Sequence, residues 1–443
     1  MLNLDCWFLG NEVPFIIVNI WGEAWSVMKL VHTVFKNGER YPLLRSNGGV
    51  PLWYPTLYAT SQLRNAAKAP NTIVANLTAV RLLLTWCNEE SIDIEVNFSK
   101  GVFFTTQQVE SLSRFLQTKV SELGANEHQI QLVSNKESTR ARFKHNTNKV
   151  STNTQYLRLS YVADYLHWFA CRVVECNKRH VDASSMALIK RMTDSLRARR
   201  PVRANDLNKK RMGLEKEQRA ELLALVTPSH ESNPFSEDLK IRNELIVNLL
   251  YQLGVRQGEL LSIRIGDIDF SKNEIVIPRR HDDPDDPRKN QPVAKTMDRR
   301  LPLSKELAEL ISNYIVGERR NIKPARRHDF LLVVHKVGPY LGQPLSSRGL
   351  ARVFKQIQDA RPDSFSNLTP HLLRHTWNDR FSELADEKGI DEAREEKMRS
   401  YSMGWKEGSG TSAIYTRRHI EREAQKAALQ LQSTLMAKRD EHG

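Results

Sequence analysis

The last third of the chain contains five residues whose types fit one kind of chemistry. They are Arg256, His371, Arg374, Trp405 and Tyr415. A tyrosine hydroxyl can attack a phosphodiester, and two arginines with a further hydrogen-bond donor can stabilise the charge that develops on the phosphate oxygens. Such a reaction needs no metal ion. The residue types therefore predict that the protein breaks and rejoins DNA strands.

The charge of the whole chain favours an anionic partner. Its 443 residues carry a formal net charge of +14, and 40% of them are hydrophobic. The chain is therefore long and apolar enough for two or three domains with ordinary cores. A basic surface attracts polyanions, and double-stranded DNA is the partner that we expect. Charge alone leaves open a basic soluble protein without a nucleic-acid role.

The four cysteines do not make a disulfide framework in so long a chain, which indicates a reducing compartment. We expect a cytoplasmic protein associated with the nucleoid. His167, Cys171, Cys176 and His180 lie in or just after an apolar helical stretch and lack the CxxC spacing of a zinc site. We therefore expect neither a metal nor another cofactor.

The first 27 residues are apolar and rich in tryptophan, but they do not look like a signal or a membrane span. They lack a basic start and are interrupted by Glu12 and Pro14. We expect neither secretion nor membrane insertion. Met28 opens a sequence typical of a strand and turn, so translation from Met28 is an alternative start.

Apolar spacing in the first half predicts a helical domain. Residues 1–69 form an N-terminal extension, in which 30–63 suggest strands and turns. Helical periodicity then appears at 70–92, 105–123 and 154–174. We assign residues 70–200 to a helical domain, whose role as a core-binding-like DNA-binding domain is implied only by a family resemblance.

From Lys190 to Arg211 the sequence is densely basic, which favours an interdomain linker, placed at 201–214. It is either a solvated connector or a strap along DNA phosphates, where each cation adds salt-dependent affinity. The cations that would bind DNA are Arg197, Arg199, Arg200, Arg203, Lys209, Lys210 and Arg211.

Residues 215–443 predict a mainly helical domain with a small β-sheet, an α+β arrangement. The segments IDF, EIVIP and RRLPL are strand-like, and the Asp- and Pro-rich stretch 281–293 between the last two indicates a solvated hairpin tip. Gly254 fits the end of a preceding helix because glycine tolerates positive φ. Further helices are expected at 215–226, 238–253, 303–315, 346–357 and 418–436.

Residues 215–430 resemble the catalytic domain of the tyrosine recombinases, the phage integrase family. Four sequence boxes carry the resemblance, and each alone is commonplace. They are LGVRQGELLSIRIGDID with Arg256 and Glu259, VAKTMDRRLPL with Lys295, HLLRH with His371 and Arg374, and MGW followed by IYT with Trp405 and Tyr415. Lys289 and Arg299 lie close to Lys295 and leave that assignment the least secure of the set.

The resemblance implies a role for each residue. Tyr415 would be the nucleophile that forms a 3′-phosphotyrosyl link without ATP, and Lys295 would protonate the departing 5′ oxygen. His371 would act as a base or proton relay, and Glu259 would orient Arg256 or His371. Most of the family has histidine at the position of Trp405, whose indole N–H can donate a hydrogen bond but cannot exchange a proton. His375 is interpreted as structural.

The implied function is site-specific recombination for the integration, excision or transposition of a mobile element. The family also implies a homotetramer assembled on DNA, with accessory DNA-bending or directionality factors. Two alternatives stay open: a resolvase or topoisomerase-like enzyme that shares the chemistry, and a DNA-binding protein that has lost catalysis.

Overall fold

The computed structural model describes residues 28–119, 149–178, 180–202, 213–292, 296–408 and 410–440. Several predicted features lie outside these residues, namely the first 27 residues, Lys295, Arg203, Lys209, Lys210 and Arg211. The chain divides into two compact units. The first contains Met1–Thr33 and Tyr41–Asn205, and the second contains Val34–Arg40 and Asp206–Gly443.

The first unit begins with the expected strands, but they end earlier than predicted. β1 (Lys29–Val34) and β2 (Arg40–Arg45) form a two-stranded sheet. The segment up to residue 63 was expected to contain only strands and turns, and this is wrong. It contains α1 (Trp53–Tyr58) and a π-helical turn, Ala59–Arg64. Pro55 is tolerated because it lies in the first turn of α1, where the missing N–H has no helical acceptor.

Five further α-helices lie in the described part of this unit, and their apolar side chains contribute to one core. They are α2 (Pro70–Glu89), α3 (Ile94–Ser99), α4 (Thr106–Phe115), α5 (Thr152–Lys178) and α6 (Ala183–Ala198). Thr105 and Gln108 form a reciprocal capping box at the start of α4, as the sequence suggested.

The basic stretch from Lys190 begins inside α6, which ends before the linker placed at 201–214. Ile189, Met192 and Leu196 are buried at helical spacing, so α6 is a packed element. Its cations occupy the other faces of the helix. The dense run of charges therefore made this helix hard to predict, because its apolar face is narrow.

The second unit opens with helices that lead into a small sheet. α7 (Lys216–Val226) precedes α8 (Glu237–Leu253), which ends at Gly254 with φ 62°, and α9 (Gln257–Ser262) follows. The three strands predicted from IDF, EIVIP and RRLPL are present. They are β3 (Ile268–Asp269), β4 (Glu274–Ile277) and β5 (Arg299–Pro302), antiparallel in the order β3-β4-β5.

The Asp- and Pro-rich stretch between β4 and β5 is less solvated than the sequence indicated. Asp286 is buried and pairs with Arg288 at 2.7 Å. Asp283 pairs with Arg264 at 2.6 Å. Because arginines neutralise them, these carboxylates can pack against the unit although prolines interrupt the segment.

Six helices form the rest of the second unit. They are α10 (Lys305–Tyr314), α11 (Ser347–Ala360), α12 (Pro362–Phe365), α13 (Pro370–Glu387), α14 (Glu392–Met403) and α15 (Thr411–Asp440). The tail helix starts at Thr411 and not near residue 418, so Tyr415 lies within it. The fold class is thus confirmed as mainly helical, with a small sheet in the second unit.

The described residues were also compared with the requirements of a metal site and of a membrane-spanning helix. Within the described ranges, no group of three or more His, Cys, Asp or Glu side chains is arranged to hold a metal ion. None of the helices in the same part of the chain is both long and apolar enough to cross a membrane.

Candidate active site

The first predicted site residues lie at the junction of α8 and α9. Gly254 ends α8 with positive φ, and a Cβ at this position would lie 2.7 Å from Cγ of Trp377. Arg256 is the N-cap residue of α9, and its backbone N–H donates to Oε2 of Glu259 at 2.8 Å. The carboxylate of Glu259 therefore helps to begin the helix that holds it beside Arg256.

Glu259 is the centre of a buried charge cluster on three parts of the unit. Arg299 of β5 donates from Nη2 to Oε2 of Glu259 at 2.8 Å, and the Thr296 hydroxyl donates to Oε1. Nη1 of Arg256 lies 3.7 Å and Nη1 of Arg374 lies 3.9 Å from the same carboxylate. Glu259, Arg299 and Arg374 are at most 4% exposed. In this cluster the arginines outnumber the one carboxylate, which leaves an excess of positive charge.

The pKa values of the cluster follow from this crowding. Burial raises the pKa of Glu259, but the hydrogen bond and charge of Arg299 oppose it and the result lies below the ordinary value. Burial lowers the pKa of Arg256. Burial and the neighbouring Arg256 lower the pKa of Arg374 to about 9, so it still carries its charge at neutral pH. Keeping the charged arginines away from water costs free energy. An anion that binds beside them would offset part of this cost.

Arg374 is fixed by backbone oxygens on two sides. It lies on α13 and donates from Nη1 to the Gly254 carbonyl at 2.7 Å and from Nη2 to the Met403 carbonyl at 3.0 Å. One oxygen belongs to the end of α8 and the other to the end of α14. The guanidinium thus ties together the chain segments that present Arg256 and Trp405.

Trp405 and Tyr415 stack next to Arg374. Their ring centroids are 5.4 Å apart with an interplanar angle of 16°, and Cζ of Arg374 lies 5.4 Å from the Trp405 ring centre. The His375 ring lies 5.5 Å from that of Tyr415, and the His371 ring lies 4.3 Å from that of His375. α13, the turn after α14 and α15 therefore bring His371, Arg374, Trp405 and Tyr415 into one neighbourhood.

Two donors in this neighbourhood are buried without a hydrogen-bond acceptor. Across the described residues, Nε1 of Trp405 and Nη1 of Arg256 have no hydrogen-bond partner. Trp405 is 7% exposed. An unsatisfied buried donor costs about 1–3 kcal/mol, so both groups favour an acceptor such as a phosphate oxygen.

Lys295 lies outside the described residues, but Met297 and Arg299, which follow it, bond to the turn that contains Trp405. The Met297 N–H donates to the Gly404 carbonyl at 2.9 Å, and Nε of Arg299 donates to the Ser402 carbonyl at 2.7 Å. Gly404 has φ 64°, and a Cβ there would lie 2.8 Å from the Met297 carbonyl oxygen. The base of the β4–β5 connection is thus bonded to the turn that presents Trp405.

Arg299 is a site component that the sequence did not identify as such. It was noted only as a neighbour of Lys295, whereas Glu259 was expected to orient Arg256 or His371. In β5 alternate residues are buried, with Arg299 and Leu301 pointing inward. The alternation of residues in RRLP could have predicted that Arg299 points inward. A buried arginine on a strand requires an acidic partner, so the pattern could also have predicted its pairing with a buried carboxylate.

Three of the predicted DNA-binding cations can be located in the first unit. Arg197 pairs with Asp164 at 2.9 Å and with Asp194 at 3.3 Å. Arg199 pairs with Glu110 at 2.8 Å. Cζ of Arg200 lies 5.0 Å from the ring centre of Tyr156. Arg197 and Arg199 are thus partly neutralised on their own unit, which weakens the electrostatic attraction that each could offer to DNA.

One comparison with known proteins matches most of the second unit. Residues 214–422 match the model of the phage integrase family. Transposase A from transposon Tn554 of Staphylococcus aureus is 33% identical over 136 residues, which cover 30% of this chain and 34% of the relative. Tyrosine recombinase XerD of Halalkalibacterium halodurans is 27% identical over 158 residues, 35% of this chain and 44% of the relative. The matches thus span less than half of these relatives.

A solved structure of the XerH site-specific recombinase bound to difH substrate shares 17% identity and a TM-score of 0.41, covering 84% of this chain and 93% of that chain. A TM-score this low gives the likeness no weight. The family match assigns residues 214–422, and not the whole chain, to the phage integrase family, the tyrosine recombinases.

Proposed function

We propose that the protein is a site-specific DNA recombinase that cleaves and rejoins duplex DNA through a covalent link to Tyr415. The observation that carries the proposal is the buried excess of positive charge beside Tyr415, with two donors that have no acceptor within the described structure. A phosphodiester supplies the missing acceptors and the negative charge. A nucleophile, cations and donors in one neighbourhood fit attack on phosphorus.

The proposed reaction proceeds by one exchange at phosphorus. The Tyr415 oxygen forms a bond to phosphorus, and the bond from phosphorus to the 5′ oxygen breaks. Arg256 and Arg374 donate to the non-bridging oxygens, and the Trp405 N–H adds a third donor. Lys295 gives a proton to the departing 5′ oxygen, while His371 accepts the phenolic proton. The 5′ hydroxyl of another strand reverses the step, so the bond energy is retained.

The support for the other roles differs in kind. Glu259 acts as a positioning residue that orients Arg256 and Arg374, since it lies within 4 Å of both.

A set of basic residues is proposed to bind DNA phosphates, namely Arg197, Arg199, Arg200, Arg203, Lys209, Lys210 and Arg211. The protein would work in the cytoplasm as a homotetramer assembled on DNA, with accessory factors, to integrate, excise or transpose a mobile element. One curated relative is named a transposase and another a tyrosine recombinase, which supports this range of roles.

The experiment that tests the proposal is covalent trapping. The full chain is incubated with nicked suicide duplexes from the ends of its own element, in EDTA, and SDS-resistant complexes are counted. We expect an adduct that maps to Tyr415. Tyr415→Phe should bind the same DNA but give no adduct, because it lacks the attacking oxygen.

Tyr401→Phe is the matched control, because Tyr401 is 63% exposed on α14. It should form the adduct at the normal rate. No adduct on any DNA that the wild-type protein binds would overturn the proposal in favour of the catalytically silent reading. An adduct that persists in Tyr415→Phe would assign the nucleophile to another residue.

A second assay separates the two enzymatic readings. A plasmid with paired sites should yield recombinant products. Relaxation of a supercoiled plasmid without such sites, together with an absence of recombinants, would instead support the topoisomerase-like alternative.

A further inference from the structure

The helix that carries Tyr415 is attached to its neighbours by side chains that lie outside the candidate active site. Among the contacts that the structure describes, polar groups of Ser412, Thr416 and His419 join α15 to α13 and α14. The Ser412 hydroxyl donates to the Glu396 carbonyl at 3.3 Å, and Nε2 of His419 lies 2.6 Å from Oδ2 of Asp386. The third is Thr416, the residue next to the nucleophile.

Thr416 accepts a hydrogen bond from a fully buried arginine. Nη1 of Arg399, on α14, donates to Oγ1 of Thr416 at 3.2 Å. Arg399 is 0% exposed and Thr416 is 4% exposed. The bond therefore joins the helix that precedes Trp405 to the residue that follows Tyr415.

The other contacts of Arg399 fix its guanidinium on three helices. Nη2 donates to a Glu395 carboxylate oxygen on the same helix and to the Ser382 hydroxyl on α13. That hydroxyl in turn donates to Glu395 at 2.9 Å. The Arg399 Cζ lies 5.5 Å from the ring centre of Phe381. A side chain held on this many sides has little freedom to move.

The Arg399 group differs from the cluster around Glu259 in its balance of charge. Arg399 and Glu395 form a one-to-one pair, whereas Glu259 has several arginines around it. A neutral pair gives no net attraction for a phosphate. Because a buried ion pair is often less stabilising than apolar packing, its presence beside the nucleophile calls for another reason than stability.

We propose that Arg399 is a positioning residue that sets the place of Tyr415 through its hydrogen bond to Thr416. This inference rests on the proposed nucleophilic role of Tyr415. Attack on phosphorus requires the phenolic oxygen to stand in line with the leaving oxygen, and a displacement of about 1 Å can cost roughly 10²-fold in rate. By holding the first turns of α15, Arg399 would reduce such displacements.

The experiment uses paired substitutions at Thr416. Thr416→Ser keeps the acceptor hydroxyl, whereas Thr416→Val keeps the shape of the side chain and removes the acceptor. Cleavage of a suicide duplex is measured at saturating DNA, beside DNA affinity and melting temperature. We expect Thr416→Val to slow cleavage by roughly 10- to 100-fold, and Thr416→Ser to cleave near the normal rate, with equal DNA affinity in both.

Arg399→Met should give the same defect as Thr416→Val, and the double variant should be no slower than the worse single variant, since both remove one interaction. Arg394→Met is the control, because Arg394 is exposed on the same helix.

A 5′-bridging phosphorothiolate substrate excludes a general-acid defect, because its thiolate leaves without a proton. The slow cleavage of Thr416→Val should persist on this substrate. Recovery on it, or cleavage by Thr416→Val as fast as by Thr416→Ser, would overturn the inference. If the wild-type protein itself forms no adduct, the proposed function fails first, so the two failures are distinguishable.

Discussion

Both units bury an apolar core, but the second unit also buries a larger set of charged side chains. In the first unit, Phe98 is fully buried and contacts the rings of Phe103, Phe104 and Phe169, at centroid distances of 5.1 to 5.8 Å. In the second unit, charged side chains are buried to the same degree, namely Glu259, Arg299, Arg374 and Arg399. Rings stabilise a core directly, whereas buried charges cost several kcal/mol each unless they are paired.

The two units also differ in where their charged side chains lie. Arginines of the first unit such as Arg197 and Arg199 pair with carboxylates at the surface, where desolvation is small. In the second unit, the positive charge around Glu259 is buried and in excess, beside Tyr415. If the proposed function holds, the second unit accepts a loss of stability in order to have a preorganised site for an anion.

The largest expected effect separates cleavage from stability in the second unit. Arg374→Met keeps the approximate side-chain volume and removes the buried cation. Cleavage should slow by roughly 10²–10³, because one preorganised donor is lost. The free energy of unfolding of the DNA-free protein should fall by only about 1–3 kcal/mol, because the carbonyls of Gly254 and Met403 lose their donor while one of the excess buried charges is removed. Single-turnover cleavage and chemical denaturation measure the two quantities.

Arg380→Met is the control for this prediction, since Arg380 lies on the same helix and its guanidinium lies over the ring of Tyr251, at 4.2 Å. It should cleave normally. Normal cleavage by Arg374→Met would remove Arg374 from the site. A large loss of stability would show that Arg374 holds the fold together, and the contrast between the units would then fail.

A smaller effect is expected in the aromatic core of the first unit. Phe98→Leu should lower the free energy of unfolding by about 1–2 kcal/mol, because it removes ring contacts but leaves an apolar side chain of similar size. The rate of cleavage at saturating DNA should not change. Val102→Ala, at a position 58% exposed, is the control for denaturation. A slower chemical step in Phe98→Leu would show that this core also serves catalysis.

The smallest effect on stability is expected at the surface ion pair of Arg197. Its partner Asp164 has a side chain that is 55% exposed, so Arg197→Ala should cost at most about 1 kcal/mol of unfolding free energy. If Arg197 binds a phosphate as proposed, the variant should lower the slope of log affinity against log salt by about one. An unchanged slope would remove Arg197 from the DNA-binding set and leave it a purely structural pair.

Much of the secondary structure was predictable because local patterns and local physics agree. Gly254 ends α8 with positive φ, and the three short strands of the second unit lie where their β-branched and aliphatic residues predicted. The failures occurred where local signals were overruled. The charges of α6 hid a narrow apolar face, and the segment expected to form strands and turns contains α1, with Pro55 in its first turn.

The helix that carries Tyr415 shows a similar limit. Its start was predicted near residue 418, but the helix begins at Thr411. Glycines at 404, 408 and 410 made the preceding segment look irregular, and packing on α13 and α14 supplies contacts that the local sequence does not encode. The proposed nucleophile therefore belongs to a regular helix whose position depends on distant residues.

The sequence by itself determined which residue types can do the chemistry and the order of the boxes that contain them. The sequence was enough to name Arg256, His371, Arg374, Trp405 and Tyr415. The chemistry that a side chain can do depends on its residue type, which can be read without knowing its neighbours in space. Only the tertiary structure decided the partners. Arg299 on Glu259, and Arg399 on Thr416, join residues 40 and 17 positions apart. Whether a charge is buried, and which group neutralises it, depends on the packing of separate segments, and local sequence patterns do not determine that packing.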